Sequence, residues 1–175
     1  MAQKHPSSGD TEAARLARTP IGGTGTSESE AVDALSLLKS DHQQVSDMLD
    51  QYEDSEEADK QDLAMSICAA LTAHAQIEEE IFYPAARKAL EGEDLELVNE
   101  ADVEHGAVKQ LIAQIEALDG SDDHFDAMVK VLGEYVKHHV REEEDALFPK
   151  LEGSDLDLMQ LGRRLAERKS ELLSE

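Results

Sequence analysis

The chain has 175 residues, a formal net charge of −24 and a sequence pI of about 4.4. That length supports one domain with its own core, and that charge repels nucleic acid and anionic membrane, so neither is an expected partner. One cysteine, Cys68, excludes an intramolecular disulfide; no apolar run could span a membrane and the N-terminus lacks a signal-peptide pattern, so a soluble cytoplasmic protein is expected.

Residues 1–29 read as a disordered tail, with Pro6, Pro20 and the linker Ile21-Gly-Gly-Thr-Gly-Thr-Ser. The rest is rich in Ala, Leu, Glu, Asp and Lys and poor in aromatics, which suits helices rather than sheets. Helix 1 is expected over about 30–54, with Val32, Leu35, Leu38, His42, Val45, Leu49 and Tyr52 on one face. Helix 2 is expected over about 57–91, its face formed by Leu63, Ile67, Leu71, His74, Glu78, Ile81 and Ala85, with a kink or an end at Pro84 and Gly92 closing it. Helix 3, about 94–118, carries Leu95, Val98, Ala101, His105, Val108, Ile112 and Ile115, and Asp119-Gly-Ser-Asp122 makes a turn. Helix 4, about 122–151, carries Phe125, Met128, Leu132, Tyr135, His139, Glu143 and Ala146. A fifth helix, about 155–173, capped by Ser154 or Asp155, presents Leu158, Leu161, Leu165 and Leu172.

An eleven-residue stretch occurs twice, as His74-Ala-Gln-Ile-Glu78-Glu-Glu-Ile-Phe-Tyr-Pro84 and His139-Val-Arg-Glu-Glu143-Glu-Asp-Ala-Leu-Phe-Pro149. Each places a His and a Glu four residues apart, on one helical face. The repeat is wider than that: His42 to His105 is 63 positions, and His74 to His139 and Glu78 to Glu143 are both 65. Helices 1 and 2 therefore repeat as helices 3 and 4. The expected fold is all-α: an antiparallel up-down-up-down four-helix bundle over 30–153 with a pseudo-twofold axis, and a short C-terminal helix over 154–175 that closes one end or contacts another chain.

The axis brings together His42, His74, Glu78 and their equivalents His105, His139, Glu143. Burying unpaired carboxylates and imidazoles in a Leu-rich core costs several kcal/mol. No Lys or Arg occupies a neighbouring stripe position to pair with the two Glu. Six such groups at matched heights, split three and three, suit two cations sharing a bridging oxygen species. Mixed imidazole and carboxylate donors favour iron or manganese, with zinc as a further candidate. Glu144 rivals Glu143, although symmetry with Glu78 selects Glu143. Glu79, Glu80, Glu142 and Glu144 are expected on solvated flanks or just behind the ligands. His138 should face outward and His124 should cap a helix or lie on the surface. Tyr135 is read as core, or as a donor near the site, and Tyr83 and Cys68 as structural.

With Asp41-His42, His74-x3-Glu78, Glu104-His105 and His139-x3-Glu143 in place, the chain resembles the bacterial haemerythrin-like (HHE cation-binding) family over about 32–152. The resemblance implies a bundle holding a non-haem di-iron centre that carries or senses oxygen, reacts with peroxide or nitric oxide, or serves iron homeostasis. Oxygen-carrying members have a fifth histidine four residues from the third-helix His; here those positions are Ala101 and Lys109. A centre of four His and two Glu with an open position favours chemistry with O2, H2O2 or NO, catalase-like turnover among it. An iron-responsive protein that reports metal to a partner protein is the second reading, and a purely structural acidic bundle the third.

Overall fold

The computed structural model describes residues 32–174. The expected tail over 1–29 lies outside them. Five helical rods follow: α1 (Ala34–Asp54); α2 (Glu57–Ile77) continuing through a π-turn (Glu78–Phe82) into α3 (Tyr83–Ala89); α4 (Glu93–Ala117); α5 (Phe125–Glu142) continuing through a second π-turn (Glu143–Leu147) into α6 (Phe148–Glu152); and α7 (Leu158–Leu172). The first four rods form the up-down-up-down bundle, and no strand occurs among the described residues.

Helix 1 starts later than its apolar pattern implies. Asp33 caps it, its side chain accepting from the Leu35 and Ser36 N–H groups, and this leaves Val32 before the helix and exposed. Gly92 does not close helix 2. With φ +60 it forms the cap of α4, a conformation that a side chain would strain. Asp157, not Ser154 or Asp155, caps α7, accepting from the Gln160 N–H. The α7 helix lies along α1 and α2 through Leu161 and Leu165. A close approach permits this: a Cβ on Gly162 would sit 2.2 Å from the Val32 carbonyl oxygen.

Neither proline ends its helical rod. Tyr83 N–H donates to the Glu78 carbonyl, and Phe148 N–H to that of Glu143, each five residues back. A proline lacks an N–H and crowds the carbonyl four residues earlier. The widened turn takes up that mismatch, and Pro84 and Pro149 then sit in the first turn of the next α-segment, where no N–H is needed. The extra residue per turn also shifts the inward face. Beyond Glu78 the buried residues are Phe82, Tyr83 and Ala86, while Ile81 and Ala85 are only partly buried; beyond Glu143 they are Leu147, Phe148 and Leu151, with Ala146 partly buried.

Two apolar clusters fill the bundle. One holds Leu35, Leu38, Ile77, Phe82, Phe148 and Leu151 with Leu161 and Leu165 of α7; the other holds Val45, Leu71, Val108, Ile112, Leu132 and Val136. Each fully buried Leu or Ile contributes about 1.5–3 kcal/mol by leaving water. Between the clusters lies a layer of seven buried polar residues: Asp41, His42, His74, Glu78, His105, His139 and Glu143.

Candidate metal centre

Each rod of the bundle delivers its ligand-type residue to the same height. Both Glu78 and Glu143 open a π-turn and are 0% and 1% exposed. The His Nε2 atoms converge on them. Glu78 Oε2 is 3.1 Å from His74 Nε2 and 3.3 Å from His105 Nε2; Glu143 Oε2 is 3.3 Å from His42 Nε2 and 3.6 Å from His139 Nε2. Thus all six residues expected at the centre meet there. His42 and His74 lie together with both glutamates, His105 and His139 lie with Glu78, and Glu78 is shared.

Behind each imidazole stands a carboxylate on Nδ1. His42 meets Glu144 at 2.8 Å, His139 meets Glu104 at 2.8 Å, His105 meets Glu79 at 3.1 Å and His74 meets Asp41 at 3.5 Å. Such partners fix ring orientation and leave Nε2 directed inward. They obey the pseudo-twofold axis: the acid before each isolated His serves the motif His, and the acid after each motif Glu serves the isolated His. Glu144 is therefore the partner of His42, and Glu143 is the residue at the centre. The dyads Asp41-His42 and Glu104-His105 and the pairs Glu78-Glu79 and Glu143-Glu144 carried the signal for this outer layer. Neighbouring residues on a helix point about 100° apart, so one reaches the centre and the other the adjacent rod.

A third layer supplies cations. Lys169 of α7 donates to Asp41 at 2.5 Å, Lys109 pairs with Glu79, and Arg168 of α7 pairs with Glu80 of the π-turn at 2.7 Å. His138 is exposed as expected and contacts Glu104 and Glu142. His124 lies on the surface.

Two tyrosines exchange their expected roles. Tyr135 is 48% exposed because Val136 takes the inward position on α5. Tyr83 is fully buried, and its hydroxyl donates to Glu143 Oε1 at 2.9 Å and lies 3.1 Å from His105 Nε2. By plain α-helical counting Tyr83 faces away from Glu78; the π-turn brings it round. Its counterpart in the repeat is Phe148, which stacks on His42 at 5.9 Å between centroids. The two halves therefore differ: Glu143 has a hydroxyl on one oxygen, whereas both oxygens of Glu78 lack a hydrogen-bond partner. Cys68 is structural; burial pushes its thiol up to about 11, so it is not a thiolate.

The site fits a cation. His42 Nε2, His74 Nε2, both Glu78 oxygens and Glu143 Oε2 are buried and close together, yet none makes a hydrogen bond. They lie within ion-pair distance but point past one another, into the space between them. That is the arrangement of donors to a shared cation. Without one, protons fill the role: burial works to lower the pKa of His74, but the charges of Glu78 and Asp41 override it and push it up to about 10. Burial likewise works to raise Glu78, and the neighbouring His74 and His105 hold it well below the usual carboxylate range.

Comparison with known proteins agrees. The family model for the Hemerythrin HHE cation binding domain matches residues 33–151. A solved hemerythrin HHE cation binding domain-containing protein from Mycobacterium kansasii superposes with a TM-score of 0.70 at 20% identity, over 82% of this chain and 88% of that one. A protein from Nostoc sp. named DNA nickase is 33% identical over 127 residues, 71% of this chain. The chain spans only 35% of that relative's length. With the fold, the His and Glu layer and the family match in agreement, the chain belongs to the haemerythrin HHE cation-binding family, a family of metal-binding helical bundles.

Proposed function

We propose that His42, His74, Glu78, His105, His139 and Glu143 hold two iron ions and that this centre binds or turns over small oxidants: O2, H2O2 or NO. The observation that carries the reading is the two groups that converge on a shared Glu78, in which His42 Nε2, His74 Nε2, both Glu78 oxygens and Glu143 Oε2 are buried without a hydrogen bond. Mixed imidazole and carboxylate donors favour iron, with manganese or zinc as the competing metals. A pair of irons supplies two electrons that can be lent to a peroxide and recovered, which is the requirement for disproportionation to water and oxygen.

The chain's own part is positional. Four imidazoles are aimed by Asp41, Glu79, Glu104 and Glu144. Tyr83 fixes one Glu143 oxygen and leaves Oε2 to the centre. The apolar clusters on either side exclude bulk water. The test is oxygen evolution from peroxide by iron-loaded protein. Turnover well above free iron that disappears in His74→Ala supports the catalytic form. Absence of turnover in protein that holds two irons leaves the second reading, an iron-responsive protein stabilised by its metal, which the links from α7 to Asp41 and Glu80 favour.

The name of the Nostoc relative raises DNA as a target. A charge of −24 opposes it, and neither nucleic acid nor membrane is a proposed partner. No described helix is long and apolar enough to cross a membrane.

A further inference from the structure

The proposed centre lies beside a small cavity of about 20 Å³. Its walls are the four imidazoles, Asp41, and the apolar side chains of Val45, Leu71, Ala75, Val108, Val136 and Val140. Space of that size holds one molecule about as large as water. The cavity is on the bundle side away from Tyr83 and Phe148, so it faces the centre from the second apolar cluster.

A second, larger recess of about 360 Å³ opens to solvent between α1 and α5. Its floor is formed by His42, Val136 and Val140, the same residues that wall the inner cavity. Ser46 of α1 and Arg141 and Glu144 of the opposite rod line its sides. Val136 and Val140, with the His42 ring, lie between the inner cavity and this recess.

We infer that the α1–α5 seam is the access route to the centre, that Val136 and Val140 are its gate, and that it admits small uncharged molecules. A valine has one preferred rotamer and swings only under modest strain, so passage depends on brief side-chain motion. An anion would have to leave the charged outer recess and shed its hydration among valine and leucine side chains beside the Asp41 carboxylate, which costs several kcal/mol. The recess serves the centre that the preceding section proposes, and the inference rests on that reading.

The test uses full-length, iron-loaded protein with metal content measured for each variant, nitric oxide and azide as the probes, and stopped-flow absorbance as the readout. Ser46→Trp fills the outer recess without touching the inner cavity. It should slow both association and release of nitric oxide by about tenfold, as expected when a bulky ring must be displaced, and leave Kd unchanged. Val140→Ala should speed both. Val103→Trp, on an exposed position of α4, should change neither, and azide should bind more slowly than nitric oxide in every case. Unchanged nitric oxide rates in both Ser46→Trp and Val140→Ala, with binding intact, would overturn the route alone. No nitric oxide binding by wild-type protein holding two irons would overturn the oxidant-binding reading and the route with it.

Discussion

Tyr83→Phe removes one oxygen atom and with it the contacts to Glu143 and His105. The phenol is fully buried and donates to Glu143 Oε1 at 2.9 Å. Burial, then the charges of Glu78 and Glu143, hold its pKa well above 10, so it is a donor throughout the working range. In the variant, Glu143 Oε1 loses its partner in a site that water does not reach. Leaving a buried acceptor next to a charge unsatisfied costs about 1.5–3 kcal/mol. At about 3 °C per kcal/mol for a chain of this size, the melting temperature of metal-free protein should fall by about 5–9 °C. Thermal unfolding followed by circular dichroism in the presence of a chelator measures this directly. A Tyr83→Phe protein that melts at or above the wild-type temperature would refute the assignment of that hydroxyl to Glu143.

Glu78→Ala should abolish binding of both metals, since Glu78 belongs to both groups, whereas His139→Ala should weaken one; equilibrium dialysis with ferrous iron distinguishes the two. Gly162→Ala should destabilise the fold by about 1–3 kcal/mol in urea titration, because a Cβ there meets the backbone at Val32 and Asp33 and must push α7 away. Acid unfolding of the metal-free protein should report Asp41. Burial works to raise its pKa, yet His74 and Lys169 outweigh it and the folded value lies below 3.8. Its contribution is therefore complete above about pH 4 and fades as pH falls through the depressed folded value, so the stability gap between wild type and Asp41→Asn should be open at neutral pH and close in strong acid. Lys169→Met should narrow that gap, and should also weaken iron binding without greatly altering the secondary structure seen by circular dichroism.

Much of this molecule can be read from periodicity. The apolar stripes of α1 and α4 are buried nearly as their spacing implies, and the His placed within each stripe predicts the polar layer between two apolar clusters. The 63- and 65-residue offsets predict the pseudo-twofold arrangement of the six central residues. What periodicity could not carry is the π-turn. A strict 3.6-residue count assigns Ile81, Ala85 and Ala146 inward and Tyr83 to a structural role; one extra residue per turn replaces them with Phe82, Ala86 and Leu147 and brings the Tyr83 hydroxyl to Glu143. The sign of it was present in the two prolines, each six residues after a buried Glu, but a proline alone is equally consistent with a kink. Tyr135 failed for another reason. The stripe Phe125, Val129, Leu132, Val136 and His139 fits a helix as well as the one through Met128 and Tyr135, and it is the one that is buried. The outer carboxylates depend on cross-rod neighbours, and only the repeated acid beside each ligand hinted at them.

Metal content per chain, measured by mass spectrometry on protein purified from iron-sufficient cells, tests whether this layer holds two irons. Two irons per chain in the wild type, and none in Glu78→Ala, is the predicted result. A wild-type protein that folds and melts cooperatively with no metal bound, or with zinc alone, would contradict it.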